Sequence, residues 1–274
     1  MAGRVRGRRF QPLLLLLVVI AEVSGGIIQW KSAQDLQIVN VGPWPVSENA
    51  TGGMLRRLPF ASKGVVRDTI YRASEYTAGL AVHFRSNAST LLINASVLSS
   101  SMEMPHMPAT GESGFDLYCW DVHTLQFRWL SLWTTADHHA TPWPVASSGS
   151  LIGTAELPPL ESNFTREFLL YLPLYNGVRY LELGVNVGAV LAASPTPSPR
   201  PAPIIFYGTS ITQGGVVSRP GMAFTNIIGR TLGREVLNFG YSGQGYMEIS
   251  VAEFLVKVKD AGAFVIDCNP NMVR

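Results

Sequence analysis

Cysteine is scarce in this chain of 274 residues, which contains only Cys119 and Cys268. Two isolated cysteines do not have the spacing of a metal site, so the sequence excludes a cysteine-rich metal centre. Both cysteines fall within predicted strands that belong to different parts of the chain. We therefore predict two buried free thiols rather than a disulfide bridge.

Charged residues are also few, at 15% of the chain, whereas hydrophobic residues make up 47%. A chain of this composition can bury a large core, so extensive disorder is excluded. The formal net charge is +2, but Arg4, Arg6, Arg8 and Arg9 all precede the first apolar run. Without the first 25 residues the chain is close to neutral, which gives no electrostatic basis for a nucleic-acid partner.

The first apolar run is too short to span a membrane. It extends from Leu13 to Ala21, about half of the roughly 20 residues that a spanning helix needs. The run follows a basic start and precedes small residues, with Val23 and Gly25 at suitable −3 and −1 cleavage positions. We therefore predict that residues 1–25 are a cleaved signal peptide, that no membrane span remains and that the protein is secreted. A membrane anchor is the alternative.

Four Asn-x-Ser/Thr sequons begin at Asn49, Asn87, Asn94 and Asn163. In a eukaryotic secreted protein, such sequons mark surface positions that accept glycans. We expect a glycoprotein on this basis, although sequons also arise by chance in a chain rich in serine and threonine.

The N-terminal domain, predicted as residues 26–193, shows little helical periodicity. Short apolar runs separated by Gly, Pro, Ser and Asn predict many short strands. Gly79–Phe84 and Thr90–Leu98 flank a polar turn and predict a hairpin. Asn176-Gly177 lies between two further apolar runs and predicts a second hairpin. We therefore predict an antiparallel β-sandwich of the jelly-roll-like type.

A proline-rich stretch, residues 194–203, separates this domain from residues 204–274. Alternating prolines favour extended polyproline II backbone, so we interpret the stretch as a stiff linker. Beyond it, Ile204–Tyr207, Glu235–Phe239 and Ala263–Cys268 are apolar runs that predict strands.

Two apolar stripes at helical spacing lie between these strands and predict helices that pack their apolar faces on the sheet. The stripes consist of Met222, Phe224, Ile227, Ile228 and Leu232, and of Met247, Val251, Phe254, Leu255 and Val258. The alternation of strand and helix predicts a parallel sheet.

Each of the three predicted parallel strands ends in a polar turn. The turns are Gly208-Thr-Ser-Ile211, Asn238-Phe-Gly-Tyr-Ser-Gly-Gln-Gly245 and Asp267-Cys-Asn-Pro-Asn-Met272. In a parallel sheet all three turns lie along one edge, so residues distant in sequence can meet there.

The residue types in these turns suit ester hydrolysis. Ser210 follows a strand on a constrained turn, as a serine nucleophile requires. A backbone N–H at Gly243 and the side-chain amide of Asn271 are donors suited to an oxyanion. The alternative is an ordinary strand-to-loop exit with a solvent-exposed serine.

The three turns, in this order, resemble the first three conserved blocks of the SGNH (GDSL-type) hydrolases. The resemblance implies an incomplete flavodoxin-like α/β domain with serine esterase activity. It implies Ser210 as the nucleophile, with an oxyanion hole formed by its own N–H, the Gly243 N–H and the Asn271 amide.

This chain departs from the family pattern in two of the blocks. Thr209 and Ile211 replace Asp and Leu in the first block, and Met272 follows Asn271 where many members have Asp. Both variants look like a subgroup that carries an N-terminal β-sandwich domain. The stretch from Met104 to Tyr118 is similar to that domain.

The same resemblance assigns the general base to a histidine in a late Asp-x-x-His block. All five histidines precede the α/β region, so none matches that block; they are His83, His106, His123, His138 and His139. Base catalysis contributes about 10²–10⁴-fold, so its absence matters. Three interpretations are open: an incomplete sequence truncated after the third block, a product without catalysis, or a sandwich histidine (His106, His138 or His139) that reaches Ser210.

Two smaller questions also stay open at this point. His106 and Asp116 have either a structural role or a role in shaping the active-site cleft. His138-His139 is interpreted as a polar loop, although paired histidines can bind metal.

We predict a secreted serine esterase of the SGNH type that acts on acyl esters, with acetyl groups on carbohydrates as the implied substrates. No cofactor or metal is predicted, the expected partner is a small-molecule or glycan ester, and the oligomeric state is left open. The competing hypothesis is a non-catalytic secreted carbohydrate-binding or scaffold protein. This hypothesis is based on four tryptophans of the β-sandwich that could contact a carbohydrate, Trp120, Trp129, Trp133 and Trp143. Such tryptophans are more often packing residues.

Overall fold

The structure, a computed structural model, describes residues 27–44, 55–134, 150–157, 164–195 and 201–272. The strands are β1 Ile28–Ser32, β2 Gln37–Val39, β3 Ala81–Ser86, β4 Thr90–Val97, β5 Phe115–Asp121, β6 Gln126–Trp133, β7 Ser150–Glu156, β8 Arg166–Tyr171, β9 Val178–Asn186, β10 Leu191–Ala193, β11 Ile204–Gly208, β12 Val236–Gly240 and β13 Ala263–Asp267. The α-helices are α1 Asp68–Ala73, α2 Ala109–Glu112, α3 Ser210–Gln213, α4 Phe224–Leu232, α5 Ile249–Leu255 and α6 Asn269–Met272.

The first ten strands form two antiparallel sheets around one hydrophobic core. One sheet has the order β1-β9-β4-β7, and the other has the order β10-β3-β8-β5-β6, with β2 also paired to β3. Phe84 and Phe168 of the second sheet lie in the same buried cluster as Ile93 and Leu183 of the first. This confirms a β-rich, antiparallel N-terminal region. The jelly-roll-like arrangement stays a prediction.

The first predicted hairpin is wrong. β3 pairs with β8, whereas β4 pairs with β7 and β9 in the opposite sheet. The polar residues between the two strands cross from one sheet to the other. There, Asn87 Oδ1 accepts the N–H of Val190 at 2.7 Å, and Ser86 Oγ accepts the N–H of Ala88 at 3.1 Å. These bonds support a crossing between sheets rather than a tight turn between paired strands.

The hairpin predicted at Asn176-Gly177 is wrong for a similar reason, because β8 and β9 also lie in different sheets. Neither residue has the positive φ that a type I′ turn requires. The buried Asn176 side chain bonds instead to Ser99 and to Ser113 Oγ. Gly177 is needed for close packing, since a Cβ there would lie 2.3 Å from Leu98 Cδ1.

The C-terminal part contains the predicted parallel sheet, with the order β12-β11-β13. The first strand in sequence is therefore central, as in the 2-1-3 start of flavodoxin-like sheets. Val251, Phe254, Leu255 and Val258 from α5 and just beyond it are buried, which confirms most of the second stripe; Met247 is exposed.

The first stripe does not face the core as predicted. Phe224, Ile227 and Leu232 are 36%, 37% and 56% exposed, and the buried residues of α4 are Thr225 and Asn226. Asn238 of β12 donates a hydrogen bond to Thr225 Oγ1 at 3.0 Å, so α4 meets the sheet partly through polar groups. Phe224 packs edge-on against Phe206 of β11, with ring centroids 5.5 Å apart, so the apolar face of α4 is only partly covered.

Residues 55–76 pack against the parallel sheet although they precede most of the sandwich strands. Leu58, Ile70 and Tyr71 share a buried cluster with Leu237 and Phe239 of β12. The domain limits at 26–193, 194–203 and 204–274 stay predictions, but this packing joins the two parts of the chain.

Several predictions fall partly or wholly outside the described residues. These are the signal peptide, the sequons at Asn49 and Asn163, His138-His139, Trp143 and the middle of the linker. Asn87 and Asn94 are described and half-buried. In the described part of the chain, no helix has the length and hydropathy needed to cross a membrane, and no cluster of three potential metal ligands occurs. Both cysteines are free, with Cys268 buried and Cys119 half-buried.

Candidate active site

The ends of the three parallel strands lie side by side. Gly208, the last residue of β11, is in register with Gly240 of β12 and with Asp267 of β13. The segments that follow are called here the first loop (Thr209–Gly215), the second loop (Tyr241–Met247) and the third loop (Cys268–Met272). They leave the sheet at one edge, as the sequence predicts.

The first loop places Ser210 at the start of a single helical turn. Thr209 caps α3 by accepting the Ile211 N–H on its side chain at 3.3 Å. Gly214 ends the turn with φ of 102°, a left-handed conformation that glycine adopts without strain. The Ser210 carbonyl accepts the N–H groups of Gly214 and Gly215 at 3.1 and 2.8 Å. Ser210 itself is half-buried, and its Oγ has no hydrogen-bond partner among the described residues.

The second loop packs on the end of β11, directly before the first loop. The N–H of Tyr241 donates to the Gly208 carbonyl at 2.9 Å. Gly245 has φ of 80°, and a Cβ there would lie 2.3 Å from the same carbonyl oxygen, so only glycine fits without a shift. Gly243 has φ of 65° with open space around its α-carbon, and it is exposed.

The third loop contacts the second loop, and the end of β13 just before it contacts the first loop. Asn271 Nδ2 donates to the carbonyl of Gln244 in the second loop. Thr212 Oγ1 in the first loop donates to Asp267 Oδ2 at 3.2 Å. The three predicted site residues, Ser210, Gly243 and Asn271, therefore lie on loops that touch one another. Their roles stay predictions.

Two residues that sequence reasoning missed hold the first loop in place. Gln213 accepts the N–H of Ser242 at 2.8 Å and donates to the carbonyl of Leu174 at 3.0 Å. Asn238 donates to the Thr212 carbonyl at 2.7 Å and accepts the N–H of Gly240 at 2.9 Å. Asn238 is the first residue of the second conserved block, so the sequence indicated its position at the end of a strand. The sequence did not indicate that its side chain holds the first loop.

The sandwich domain also contacts the first loop. The hydroxyl of Tyr175 donates to the Ser210 carbonyl at 3.2 Å. Burial raises the pKa of Tyr175, so this hydroxyl keeps its proton and remains a donor. A Cβ at Gly214 would lie 3.0 Å from Leu174 Cδ1, which shows how closely the two domains approach.

No hydrogen bond joins Ser210 to any of the described histidines. His83 Nε2 lies 2.9 Å from Glu167 Oε1 within the second sheet. His106 and His123 are exposed, and His106 lies in the short turn between Met104 and Met107. The interpretation in which His106 acts as the base therefore gains no support from the described contacts.

Asp116 joins the sandwich to the segment after the first loop. Its Oδ2 accepts the N–H of Gly221 at 2.7 Å, and its Oδ1 accepts the indole N–H of Trp129 at 2.9 Å. Burial raises the pKa of Asp116 to about 6, although these donors and the nearby Arg219 and Arg230 oppose the rise. Asp116 thus connects the sandwich to the segment that follows the first loop.

The tryptophans have mostly packing roles where they are described. Trp133 is 6% exposed and donates to the Thr154 carbonyl at 3.1 Å. Trp129 is 52% exposed, but its indole N–H is bound to Asp116. Trp120 packs edge-on against Phe127.

Two family models match the chain, one over the N-terminal region and one over the C-terminal part. Residues 28–191 match the family model of the N-terminal region of SGNH hydrolase-type esterases, and residues 201–274 match the GDSL-like lipase/acylhydrolase family model. No curated protein matches the chain.

Two solved structures are similar over most of the chain. One is a putative GDSL-like lipase from Bacteroides ovatus, with 28% identity and a TM-score of 0.73 over 89% of this chain and 65% of its own. The other is the salicylyl-acyltransferase SsfX3 from a tetracycline biosynthetic pathway, with 14% identity and a TM-score of 0.64 over 89% of this chain and 62% of its own. The chain thus spans slightly less than two thirds of either protein. At 14% identity, the second similarity concerns the fold alone.

Proposed function

Because the chain belongs to the family of SGNH hydrolase-type esterases, we propose that it is a secreted serine esterase that hydrolyses acyl esters. The proposal assigns the nucleophile to Ser210. It assigns the oxyanion hole to the backbone N–H groups of Ser210 and Gly243 and to the Asn271 amide.

The proposed reaction is acyl transfer in two steps. Ser210 Oγ bonds to the ester carbonyl carbon, and the π electrons move to the oxygen, where the three donors stabilise the charge. The Ser210 O–H bond breaks in this step, the carbon–oxygen bond to the alcohol then breaks, and the proton lost by Ser210 passes to the leaving oxygen, so that the alcohol departs neutral. Water attacks the acyl-enzyme in the same way and releases the acid and the free Ser210 hydroxyl.

One observation carries the proposal: the first, second and third loops make direct contact at one edge of the sheet. Tyr241 bonds to Gly208, Ser242 bonds to Gln213, and Asn271 bonds to Gln244. Residues separated widely in the sequence can therefore act on one acyl carbon. The Asn271 amide bonds to Gln244 here, so its role requires that a donor hydrogen also turn toward the substrate.

The proposal assigns the role of general base to no described residue. No histidine among the described residues forms a hydrogen bond with Ser210, whereas base catalysis contributes about 10²–10⁴-fold in rate. We therefore expect the reactivity of residues 1–274 to be low, yet still centred on Ser210, since an oxyanion hole alone accelerates acyl transfer.

The substrate proposal is acyl esters with small acyl groups, including acetyl groups on carbohydrates, and it rests on family resemblance alone. The contacts around Ser210 leave it half-buried and accessible to a small acyl group. A panel of p-nitrophenyl esters with acyl chains of increasing length, together with an acetylated xylo-oligosaccharide, tests this choice. Preference for long acyl chains would contradict it.

The test of the nucleophile uses the full chain and a fluorophosphonate probe, followed by mass spectrometry of the labelled peptide. We expect modification of Ser210, its loss in Ser210→Ala, and its retention in Ser242→Ala. Ser242 is a matched control, because it is an exposed serine in the neighbouring second loop. Equal labelling of the wild-type protein and Ser210→Ala would refute the assignment.

A further inference from the structure

Two adjacent arginines, Arg56 and Arg57, are buried side by side, at 1% and 2% exposure. Buried arginine is uncommon, because removing its charge from water is costly unless the guanidinium is fully hydrogen-bonded. Each of these guanidinium groups also lies over a tyrosine ring, Tyr71 for Arg56 and Tyr241 for Arg57. The two residues are alike in burial and chemistry, but they contact different parts of the protein.

Arg57 binds to the end of the strand that leads into the second loop. Its Nη1 donates to the carbonyl oxygens of Asn238 and Gly240, the latter being the last residue of β12. Its Nε and Nη2 donate to the carbonyls of Tyr76 and Ala73, each at 2.8 Å. These last two bonds fix the guanidinium to the end of α1 and the segment that follows it. Arg57 therefore ties that segment to the start of the second loop.

Arg56, in contrast, is bound entirely within its own segment. Its Nη1 pairs with Glu75 at 2.7 Å, and its Nη2 donates to Ser74 Oγ at 3.1 Å and to the Tyr71 carbonyl. Its charge is thus balanced by a carboxylate. No carboxylate is among the partners that the described residues provide for Arg57.

We infer that Arg57 is a positioning residue for the second loop and so for the Gly243 N–H, an inference that rests on the proposed function. The guanidinium fixes the Gly240 carbonyl, and its plane packs against Tyr241, the first residue of the second loop. Burial lowers the pKa of Arg57, but arginine stays charged in folded proteins.

Hydrogen exchange measured by mass spectrometry tests the positioning without any need for activity. The full chain is compared with Arg57→Met, Arg57→Lys and the matched control Arg56→Met. We expect amides of residues 241–247 to exchange about tenfold faster in Arg57→Met, because bonds from a charged donor are lost. We expect a smaller effect in Arg57→Lys, since an ammonium group cannot make the same planar set of bonds.

Arg56→Met should leave exchange at residues 241–247 unchanged. If residues 241–247 exchange at the wild-type rate in both Arg57 variants, the inference is overturned. It is also overturned if Arg56→Met accelerates their exchange as much as Arg57→Met does. If Arg57→Met does not fold, Arg57→Lys is compared with Arg56→Lys by the same criterion.

The effect on reactivity is read from fluorophosphonate labelling of Ser210, analysed as a maximal labelling rate and an apparent affinity. If loss of Arg57 displaces the Gly243 N–H, we expect the maximal labelling rate of Arg57→Met to be about tenfold lower than that of wild type. The apparent affinity for the probe should stay within about twofold of wild type. An unchanged rate would overturn the inference. If wild-type Ser210 is not labelled at all, the proposed function fails, and the exchange experiment still decides the role of Arg57.

Discussion

The side-chain oxygen of Gln213 accepts the backbone N–H of Ser242 at 2.8 Å, which connects the first loop to the second loop. The same side chain donates to the Leu174 carbonyl at 3.0 Å. One buried amide therefore holds together two loops of the candidate site and the sandwich domain. This arrangement leads to the first prediction.

Replacement of Gln213 by methionine removes both hydrogen bonds at similar volume. We expect the free energy of unfolding to fall by about 1–3 kcal/mol, because a partly buried N–H and a buried carbonyl lose their partner. Urea denaturation measures the change. Gln34→Met is the control, since Gln34 is exposed, and it should change the free energy of unfolding by less than about 0.5 kcal/mol. Equal losses in both variants would contradict the role assigned to Gln213.

The second prediction concerns pH and Asp116. The pKa of Asp116 in the folded protein is about 6, above the ordinary value of 3.8. Between those values the folded protein keeps a proton that the unfolded chain has released, so stability falls as pH rises through this window. The whole effect amounts to at most about 3 kcal/mol.

Asp116→Asn should abolish this part of the pH dependence. The variant should also be less stable at pH 7, because the amide NH2 group that replaces one carboxylate oxygen is a donor and would face the N–H of Gly221 or of Trp129. Urea denaturation at several pH values between 4 and 7 provides the measurement. An Asp116→Asn variant with the same pH dependence as wild type would show that another group is responsible.

Gly243 and Gly245 give a third, paired prediction. Both have positive φ, but only at Gly245 would a Cβ meet a backbone oxygen, 2.3 Å away. Gly243→Ala should therefore cost only the conformational strain of about 1 kcal/mol. Gly245→Ala should cost clearly more and should also lower fluorophosphonate labelling, since the second loop must move away from Gly208. Thermal unfolding of both variants tests the order, and a reversed order would be inconsistent with the described packing of the loop.

The fourth prediction concerns the two thiols. Burial raises the pKa of Cys119 to about 11, so only about a thousandth of it is thiolate at pH 8. Cys268 is 2% exposed. Titration with a thiol-reactive disulfide reagent should be slow in the native protein and should give two thiols in denaturant without reductant. A count of zero in denaturant would reveal a disulfide and contradict the free thiols.

The sequence predicted the α/β part better than the sandwich, for a physical reason. Strands such as Ile204–Gly208 are short apolar runs with polar turns at their carboxyl ends, and parallel topology follows from the alternation with helices. In the sandwich, a turn such as Asn176-Gly177 shows that the chain changes direction. It does not show which sheet the next strand joins, so both predicted hairpins were wrong.

The burial and contacts of side chains were less predictable from the sequence than the positions of strands and helices. The stripe of α4 has helical spacing, but whether Phe224 and Ile227 are buried depends on which elements cover them. The contact between Arg57 and Gly240 spans most of the chain, and no local pattern indicates it. Asp116 was noticed in the sequence, yet its bond to Gly221 required the folded arrangement of both domains.

Leu58, Ile70 and Tyr71 complete the buried face of a sheet whose strands come much later in the chain. A chimera that exchanged only residues 201–272 with a relative would join that sheet to packing partners selected for another protein. Recombination between members of this family should therefore succeed only when the stretch around α1 is transferred together with the parallel strands.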